Sequence, residues 1–157
     1  MVFTVAAFGS ADFHSISEAL AAVPAHSTLA IKPGHYAESL EINKPIEIVG
    51  EGELGEVVIF SPDASCLVMA APVARIVNVL FDYKGAGTAI KVPQGRLILE
   101  NCRIELLPNA NQGIGIEIAG STTSPVVQDC HIQGGRRGIV IREGAKANIE
   151  ECTVTES

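Results

Sequence analysis

The apolar positions of this chain recur in short alternating runs at a nearly constant spacing. One six-residue phrase is clearest near the C-terminus, at residues 127–132 (Val-Gln-Asp-Cys-His-Ile) and 149–154 (Ile-Glu-Glu-Cys-Thr-Val). Upstream copies occupy residues 99–104 and 76–81, so the offsets from copy to copy are 23, 28 and 22 residues. A repeat of roughly 20 to 30 residues is typical of a solenoid.

A second pattern lies between these copies and has the form apolar-any-apolar. Each triplet predicts a very short strand with two side chains facing inward and one facing outward. The runs alternate, are rich in Val and Ile, and end at Gly or Pro, which excludes a helical repeat. The repeat unit is therefore a coil of strands in a β-solenoid. The triplets occupy residues 40–42, 67–69, 90–92, 116–118 and 139–141.

The first 27 residues differ from the repeats and predict a strand followed by a capping α-helix. Ser15 and Glu18 have the spacing of a capping box, and apolar residues follow at helical spacing until Pro24. Such a helix would cover the open end of the first coil. We therefore predict one domain over residues 1–157, with about five to six coils over residues 28–157.

Stacking of the coils predicts two ladders of side chains. Cys102, Cys130 and Cys152 occupy equivalent inward positions, where a thiol behaves as a small apolar group. A disulfide or a metal site at this ladder is the less favoured alternative, and His131 faces outward, which weakens a Cys/His metal site. The second ladder is polar and is expected to satisfy backbone groups at a bend. It consists of Asn78, Asn101, Asp129 and Glu151.

Composition narrows the classes of partner. The chain has 47% hydrophobic residues but only 4% aromatic ones and no Trp, which suits a narrow solenoid interior. The net charge of −7 argues against a nucleic-acid partner. No run of 18 apolar residues and no signal-peptide pattern occurs, so we expect no membrane partner and a cytoplasmic location, although a mature secreted fragment would look the same.

Two features of the later coils suggest interaction. Residues 106–113 lengthen one repeat and predict a protruding loop. Such a loop often carries binding function, although a tolerated insertion is the more common case. After Val154 no residues are available to cover the last coil, which predicts either a longer solenoid or self-association through this end. The residues expected at that end are Ile141, Ile149, Cys152 and Val154.

Charged side chains on the outer faces supply a second candidate surface. Arginines paired with a carboxylate or phosphate would form an acidic-ligand or partner site. Charge balance against Glu143, Glu150 and Glu151 is the favoured alternative. Glu100, Gln128 and Glu150 form another outward row, either a weak cation or sugar site or only a solvated face. The candidate ligand or partner surface comprises Arg136, Arg137, Arg142, Lys146, Glu117 and Lys91.

Three motifs open the chain, namely Asp12-Phe13-x-x-Ile16-x-x-Ala19-Leu20, Ala30-Ile31-Lys-Pro-Gly34-x-Tyr36-x-Glu38 and Ile46-x-Ile48-Val49-Gly50-x-Gly52. This opening resembles that of pectin methylesterases and related pectin-lyase-like right-handed parallel β-helices. The later coils, such as residues 138–152, look more like the β-helix repeats of carbohydrate-binding and sugar-hydrolase proteins. Those repeats also occur in non-catalytic scaffolds, such as the substrate-binding part of certain F-box proteins.

The resemblance implies an all-β fold, a single-stranded right-handed parallel β-helix with a short N-terminal capping α-helix. It also implies which residues an esterase would need, namely two aspartates and a carboxylate-binding arginine. Arg137 stands where the nucleophilic aspartate would be, and residues 105–109 (Glu-Leu-Leu-Pro-Asn) replace the motif of the acid/base aspartate. The arginine motif would lie beyond Ser157. Tyr36 and Glu38 match the family in its structural opening only.

These observations favour a non-catalytic β-helix module that binds a protein or a saccharide and self-associates through its C-terminal coil. We expect no catalytic residue, cofactor or metal, although enzyme activity stays open. One alternative is a carbohydrate-active enzyme, pectin esterase-like or lyase-like, or a remnant of one, acting on an acidic polysaccharide. A second alternative is a structural solenoid segment of a larger signalling or adaptor protein.

Overall fold

Short parallel strands, stacked one above another, make up nearly all of the fold. The computed structural model describes residues 2–61, 64–106, 113–120, 123–142, 144–150 and 152–155. Its helix is α1 (Ile16–Ala22). Its strands are β1 (Val2–Val5), β2 (Ser27–Ile31), β3 (Gly34–Ala37), β4 (Leu40–Ile42), β5 (Ile46–Gly50), β6 (Val57–Ser61), β7 (Leu67–Met69), β8 (Val73–Val77), β9 (Leu80–Tyr83), β10 (Thr88–Val92), β11 (Arg96–Glu100), β12 (Arg103–Glu105), β13 (Ile114–Ala119), β14 (Val126–Gln128), β15 (His131–Gln133), β16 (Arg137–Arg142), β17 (Asn148–Glu150) and β18 (Thr153–Thr155).

The strands form three sheets, and from β2 onwards successive strands of the chain pass from one sheet to the next. Sheet A has the order β1-β2-β5-β8-β11-β14-β17, sheet B the order β18-β15-β12-β9-β6-β3, and sheet C the order β16-β13-β10-β7-β4. Strand pairs within all three sheets are parallel, as in β11 with β14 and β12 with β15. The result is a β-solenoid of about six turns, which confirms the predicted fold class.

The register of the strands confirms both sequence patterns. Ile76, Leu99, Val127 and Ile149 stack in sheet A. The triplets stack in sheet C, where Ile90 pairs with Leu67 on one side and Ile116 on the other. Each copy of the six-residue phrase forms two strands rather than one, and these two strands lie in different sheets.

The bend between those two strands lies at the polar ladder. Asn78, Asn101 and Asp129 have φ angles of 62°, 49° and 52°. Asn and Asp tolerate this left-handed backbone better than most residues because their short side chains bond to nearby backbone groups. The bend turns the chain from sheet A into sheet B, so each phrase contributes to two walls of the solenoid.

The core is a column of aliphatic side chains from the inward positions of the three sheets. Ile48, Ile76, Ile104 and Ile116 are each 0% exposed. Full burial of one such side chain stabilises the fold by about 1.5–3 kcal/mol. Each turn buries its apolar side chains against the turns above and below, so the stability of an interior turn depends on both neighbours.

A file of small residues lies where sheet B meets sheet C. Ala89, Gly115 and Gly138 precede the apolar triplets of three successive turns. A Cβ atom on Gly115 would lie 2.6 Å from the Gly138 carbonyl oxygen and 2.9 Å from the Ile132 side chain. Only a residue with little or no side chain fits at such a corner, a requirement that the triplet pattern alone did not reveal.

Helix α1 covers the N-terminal end of the solenoid, as the sequence predicts. The Ser15 hydroxyl accepts a hydrogen bond from the Glu18 backbone N–H at 3.1 Å, which caps the first turn. Ile16, Ala19 and Leu20 are buried, and the helix contacts β1 and β4. The helix ends at Ala22, before Pro24.

Some sequence predictions fall outside the described residues. This group comprises residues 107–112 of the predicted protruding loop, and also Glu143 and Glu151. Within the described part of the chain, no helix is long and apolar enough to cross a membrane.

Candidate functional site

The inward positions of the last coil expose apolar side chains. Ile141, Ile149 and Val154 are 48%, 40% and 53% exposed. Their partners one turn earlier, Ile118, Val127 and Ile132, are at most 1% exposed. The structure therefore brings the residues predicted for the self-association end onto one surface. We call this surface the C-terminal face, and it consists of Ile139, Ile141, Ile149, Cys152 and Val154.

The C-terminal face also presents strand edges. β16, β17 and β18 are each the terminal strand of their sheet, and each pairs with a described strand on one side only. Backbone N–H and C=O groups on an unpaired edge can hydrogen-bond to another strand. The face thus combines apolar side chains with three strand edges.

The predicted basic surface is divided between the two ends of β16. Arg136 and Arg137 lie at its start, whereas Arg142 lies at its end. Arg142 follows Arg137 by five steps along an extended strand, a distance of about 17 Å. Lys146 lies on the following turn, where its backbone N–H donates to the Thr123 carbonyl at 3.2 Å. These four cations therefore do not form one compact cluster.

The two remaining residues of that surface lie on the outer face of sheet C. Lys91 pairs in register with Glu117, and Glu117 with Val140. The Glu117 carboxylate accepts a hydrogen bond from the Thr88 hydroxyl at 3.1 Å, and the Arg142 guanidinium lies 3.7 Å from its other oxygen. Glu117 is thus already engaged by groups of its own solenoid.

An ion-pair network that sequence analysis missed crosses three strands of sheet A. Arg75 on β8 bonds to Glu100 on β11 through Nε and Nη2, at 3.2 and 2.8 Å, and to Glu47 on β5 through Nη1. The hydrogen bonds from Arg75 lower the pKa of Glu100. Since the side chain of Glu100 is thus held, it is not available for the weak cation or sugar site considered from the sequence. The sequence signal for this network was spacing, because Arg75 follows Glu47, and Glu100 follows Arg75, by about one repeat.

A shallow groove on the outer face of sheet A was also missed. It has a volume of about 370 Å³ and is open to solvent. Arg96 and Lys146 are its charged residues, and neither is bonded to a carboxylate among the described residues. The groove is lined by Arg96, Ser124, Pro125, Val126, Lys146, Ala147 and Asn148.

The stacked thiols form no disulfide, and two of them are buried in the interior. Cys102 and Cys130 are 0% and 2% exposed, and the Cys102 thiol donates to the Glu100 carbonyl at 3.3 Å. Burial, reinforced by the nearby Asp82 carboxylate, raises the pKa of Cys66 to about 12. Among the described residues, no group of three or more His, Cys, Asp or Glu side chains could hold a metal ion. Cys102 and Cys130 are therefore part of the core, whereas Cys152 lies on the C-terminal face.

The polar ladder bonds to backbone groups at the bend. The Asn78 amide nitrogen donates to the Gly50 and Gly52 carbonyls, both at 2.9 Å, and the Asn101 amide donates to Asn78 at 3.3 Å. This agrees with the predicted structural role of the ladder.

Tyr36 and Glu38, the residues most typical of the resembled family, bond to the N-terminal cap. The Tyr36 hydroxyl donates to the Lys32 carbonyl at 2.7 Å. Both Glu38 carboxylate oxygens accept from the first backbone amides of α1, Ile16 at 2.8 Å and Ser17 at 2.7 Å. Glu38 therefore holds the first coil and the helix together, whereas Tyr36 bonds to the turn after β2, with its hydroxyl 3.4 Å from the Val5 carbonyl oxygen of β1.

Comparisons with known proteins identify a matching family and several similar proteins. Residues 67–157 match the family described as "Right handed beta helix region", which confirms the predicted right-handed β-helix. Over 98 residues the chain is 33% identical to F-box only protein 10 of Mus musculus and of Homo sapiens, a match to 60% of this chain and 10% of each relative. The chain thus spans about a tenth of the length of those relatives. A pectin methylesterase from carrot is similar over 94% of this chain and 62% of its own, with a TM-score of 0.46 and 19% identity.

Proposed function

Since this chain belongs to the right-handed β-helix family, whose fold hosts both enzymes and binding proteins, we propose that it is a non-catalytic interaction module. Its binding surface in this proposal is the C-terminal face, and the partner is a second copy of the chain. The observation that carries the proposal is the exposure of Ile141, Ile149 and Val154 at positions whose equivalents in the preceding turn are buried.

The chemistry of the face favours a protein strand over a saccharide. Its side chains are aliphatic or thiol, and its edges carry backbone donors and acceptors. A protein partner that supplies strands and aliphatic side chains can pair with the strand edges and cover the apolar side chains at the same time. A saccharide is usually held by polar and aromatic groups, and the C-terminal face has neither among its five side chains.

The opposite end of the solenoid limits how two copies can meet. Helix α1 covers the N-terminal end, so the C-terminal face of one copy cannot continue onto the first coil of another. Two C-terminal faces can meet around a two-fold axis, which gives a closed, self-complementary dimer. Strands on the two faces would then run antiparallel, which allows backbone pairing across the interface.

Charge modulates this association. Arg137 and Arg142 flank the face and lie on both copies, and the whole chain carries a net charge of −7. Like charges repel, and salt shortens the range of that repulsion to about 8 Å at physiological ionic strength. The dimer should therefore become more stable as salt is added.

The non-catalytic part of the proposal is supported by how the carboxylates are used. Glu100 bonds to Arg75, Glu117 lies against Thr88 and Arg142, and Glu38 caps α1. Each of these groups has a structural partner within the solenoid. Arg137 also occupies the position at which the resembled esterases carry their nucleophile.

The test is the solution mass measured by light scattering over a series of protein concentrations. We expect wild-type protein to reach twice the chain mass of 16.5 kDa, and the double variant Ile141→Lys/Val154→Lys to stay at 16.5 kDa. The control is Leu54→Lys/Val73→Lys, which changes two exposed apolar residues far from the face and should leave the dimer intact. Circular dichroism establishes that all variants are folded.

Two outcomes would overturn the proposal. One is a wild-type monomer at every concentration and at high salt. The other is equal loss of the dimer in the control variant, which would place the contact elsewhere on the solenoid.

A further inference from the structure

The groove on the outer face of sheet A combines two cations with a small polar residue between them. Ile98, Val126 and Asn148 are in register on β11, β14 and β17. Two residues earlier on the same three levels lie Arg96, Ser124 and Lys146. The Ser124 and Lys146 backbone N–H groups donate to Gly95 and Thr123, which agrees with this stacking.

The spacing of the strands sets the width of the groove. Neighbouring strands lie about 4.8 Å apart, so the backbones of Arg96 and Lys146 are about 9.6 Å apart. Ser124, on the level between them, has a short side chain. Two long cationic side chains thus flank a gap above a hydroxyl group, and both residues are exposed.

Unlike Arg75, Arg96 and Lys146 form no ion pair with a carboxylate among the described residues. Arg75, on the same outer face, bonds to the two carboxylates of Glu47 and Glu100. The groove has no carboxylate in its lining, although the chain as a whole is acidic. Two unbalanced cations that converge on one cleft attract an anion.

We propose that this groove binds a small organic anion, with its carboxylate or phosphate group held between Arg96 and Lys146. The Ser124 hydroxyl donates a further hydrogen bond to the same group. Val126, Pro125 and Ala147 form an apolar part of the lining, so an anion with an apolar ring binds better than a bare inorganic ion. The volume of about 370 Å³ suits a single ring with one charged group.

This inference is independent of self-association, because it concerns the lateral surface of the solenoid. The experiment follows backbone amide signals of ¹⁵N-labelled protein during titration with phenyl phosphate, benzoate or neutral benzyl alcohol. Shifts with the two anions should be confined to amides near residues 95–98, 124–127 and 146–148. The tighter of the two anions identifies the preferred charged group.

Variants test which side chains hold the anion. Arg96→Gln and Lys146→Gln should each weaken binding by about tenfold, the effect of losing one charge-assisted contact. Lys91→Gln removes one positive charge from an exposed position on sheet C and should leave binding unchanged. All variants are titrated in the same phosphate-free buffer at constant ionic strength, so that their affinities for the anion can be compared directly.

The proposal is wrong if the anions shift no groove amide, or if benzyl alcohol shifts them equally. It is also wrong if Lys91→Gln weakens binding as much as Arg96→Gln does, because the effect would then be general electrostatics. Two-dimensional spectra of each variant show whether the fold is kept, and these exposed positions are expected to keep it.

Discussion

The carboxylate of Glu38 lies 2.7 Å from the backbone nitrogen of Ser17 and joins the first coil to the helix that covers it. Its other oxygen accepts from Ile16 at 2.8 Å. The first amides of a helix have no partner within the helix, and a negative charge is favourable there. Glu38, the last residue of the motif G-x-Y-x-E, therefore joins the first coil to the N-terminal cap.

Removing this link should loosen the cap. We expect Glu38→Ala to lower the free energy of unfolding by about 1.5–3 kcal/mol, because two backbone amides lose a charged acceptor. Urea denaturation followed by circular dichroism measures the change. Glu41→Ala is the control, since Glu41 is exposed on the adjacent strand β4. Equal stability of the two variants would show that α1 is held by its apolar face alone.

The Arg75 network predicts a pKa that can be measured directly. The guanidinium of Arg75 lowers the pKa of Glu100 below its usual value of about 4.3. In Arg75→Gln this pKa should return towards the usual value, as measured by NMR titration of the side-chain carboxyl carbon. Arg96→Gln, on the same sheet without a described carboxylate partner, should leave it unchanged. An unaltered Glu100 pKa in Arg75→Gln would mean that the ion pair does not persist in solution.

The same network predicts a dependence of stability on pH. A carboxylate with a lowered pKa in the folded state stabilises the fold above its unfolded pKa, and this contribution is lost as the pH falls through the folded value. Wild type should therefore exceed Arg75→Gln in melting temperature at pH 7. The gap should narrow below about pH 4.3. A gap that stays constant down to pH 2 would exclude an electrostatic origin.

The corner between sheets B and C should not accept an added methyl group at Gly115. In Gly115→Ala the new Cβ would lie 2.6 Å from the Gly138 carbonyl oxygen, so two stacked backbones must move apart. We expect a loss of about 1–3 kcal/mol, the usual cost of overpacking. Chemical denaturation gives the value. Gly87→Ala, whose Cβ would meet only the Tyr83 hydroxyl at 3.0 Å, should cost less. The reverse order would show that this corner is more adaptable than its geometry indicates.

The four thiols should differ sharply in reactivity. Cys66 is 0% exposed and its pKa is raised to about 12, whereas Cys152 is partly exposed on the C-terminal face. At pH 8, iodoacetamide should modify Cys152 first, as followed by peptide mass spectrometry, because Cys66, Cys102 and Cys130 are shielded from solvent. If the C-terminal face is a dimer contact, Cys152 should also react more slowly as the protein concentration rises. Rapid modification of Cys66 in folded protein would contradict its burial in the core.

The amino-acid sequence by itself determined the architecture, because a solenoid repeats its packing along the chain. The spacing of Leu99, Val127 and Ile149 predicts which strands stack, and alternation predicts which side chains face inward. The capping box at Ser15 predicts helix α1 for an equally local reason. The same pattern predicts that Ile141, Ile149 and Val154 occupy inward positions, in register with the buried residues of the preceding turn.

Only the tertiary structure decided which outward side chains meet. Arg75 bonds to Glu47 and Glu100 across three strands, and Arg96 shares a groove with Lys146, yet neither pair is close in sequence. Arg137 and Arg142 are close in sequence but lie at opposite ends of β16. The repeat specifies the level and the inward or outward direction of a residue. It does not specify where the chain bends from one sheet to the next or how far a long side chain reaches, and those two properties determine contacts on the outer faces.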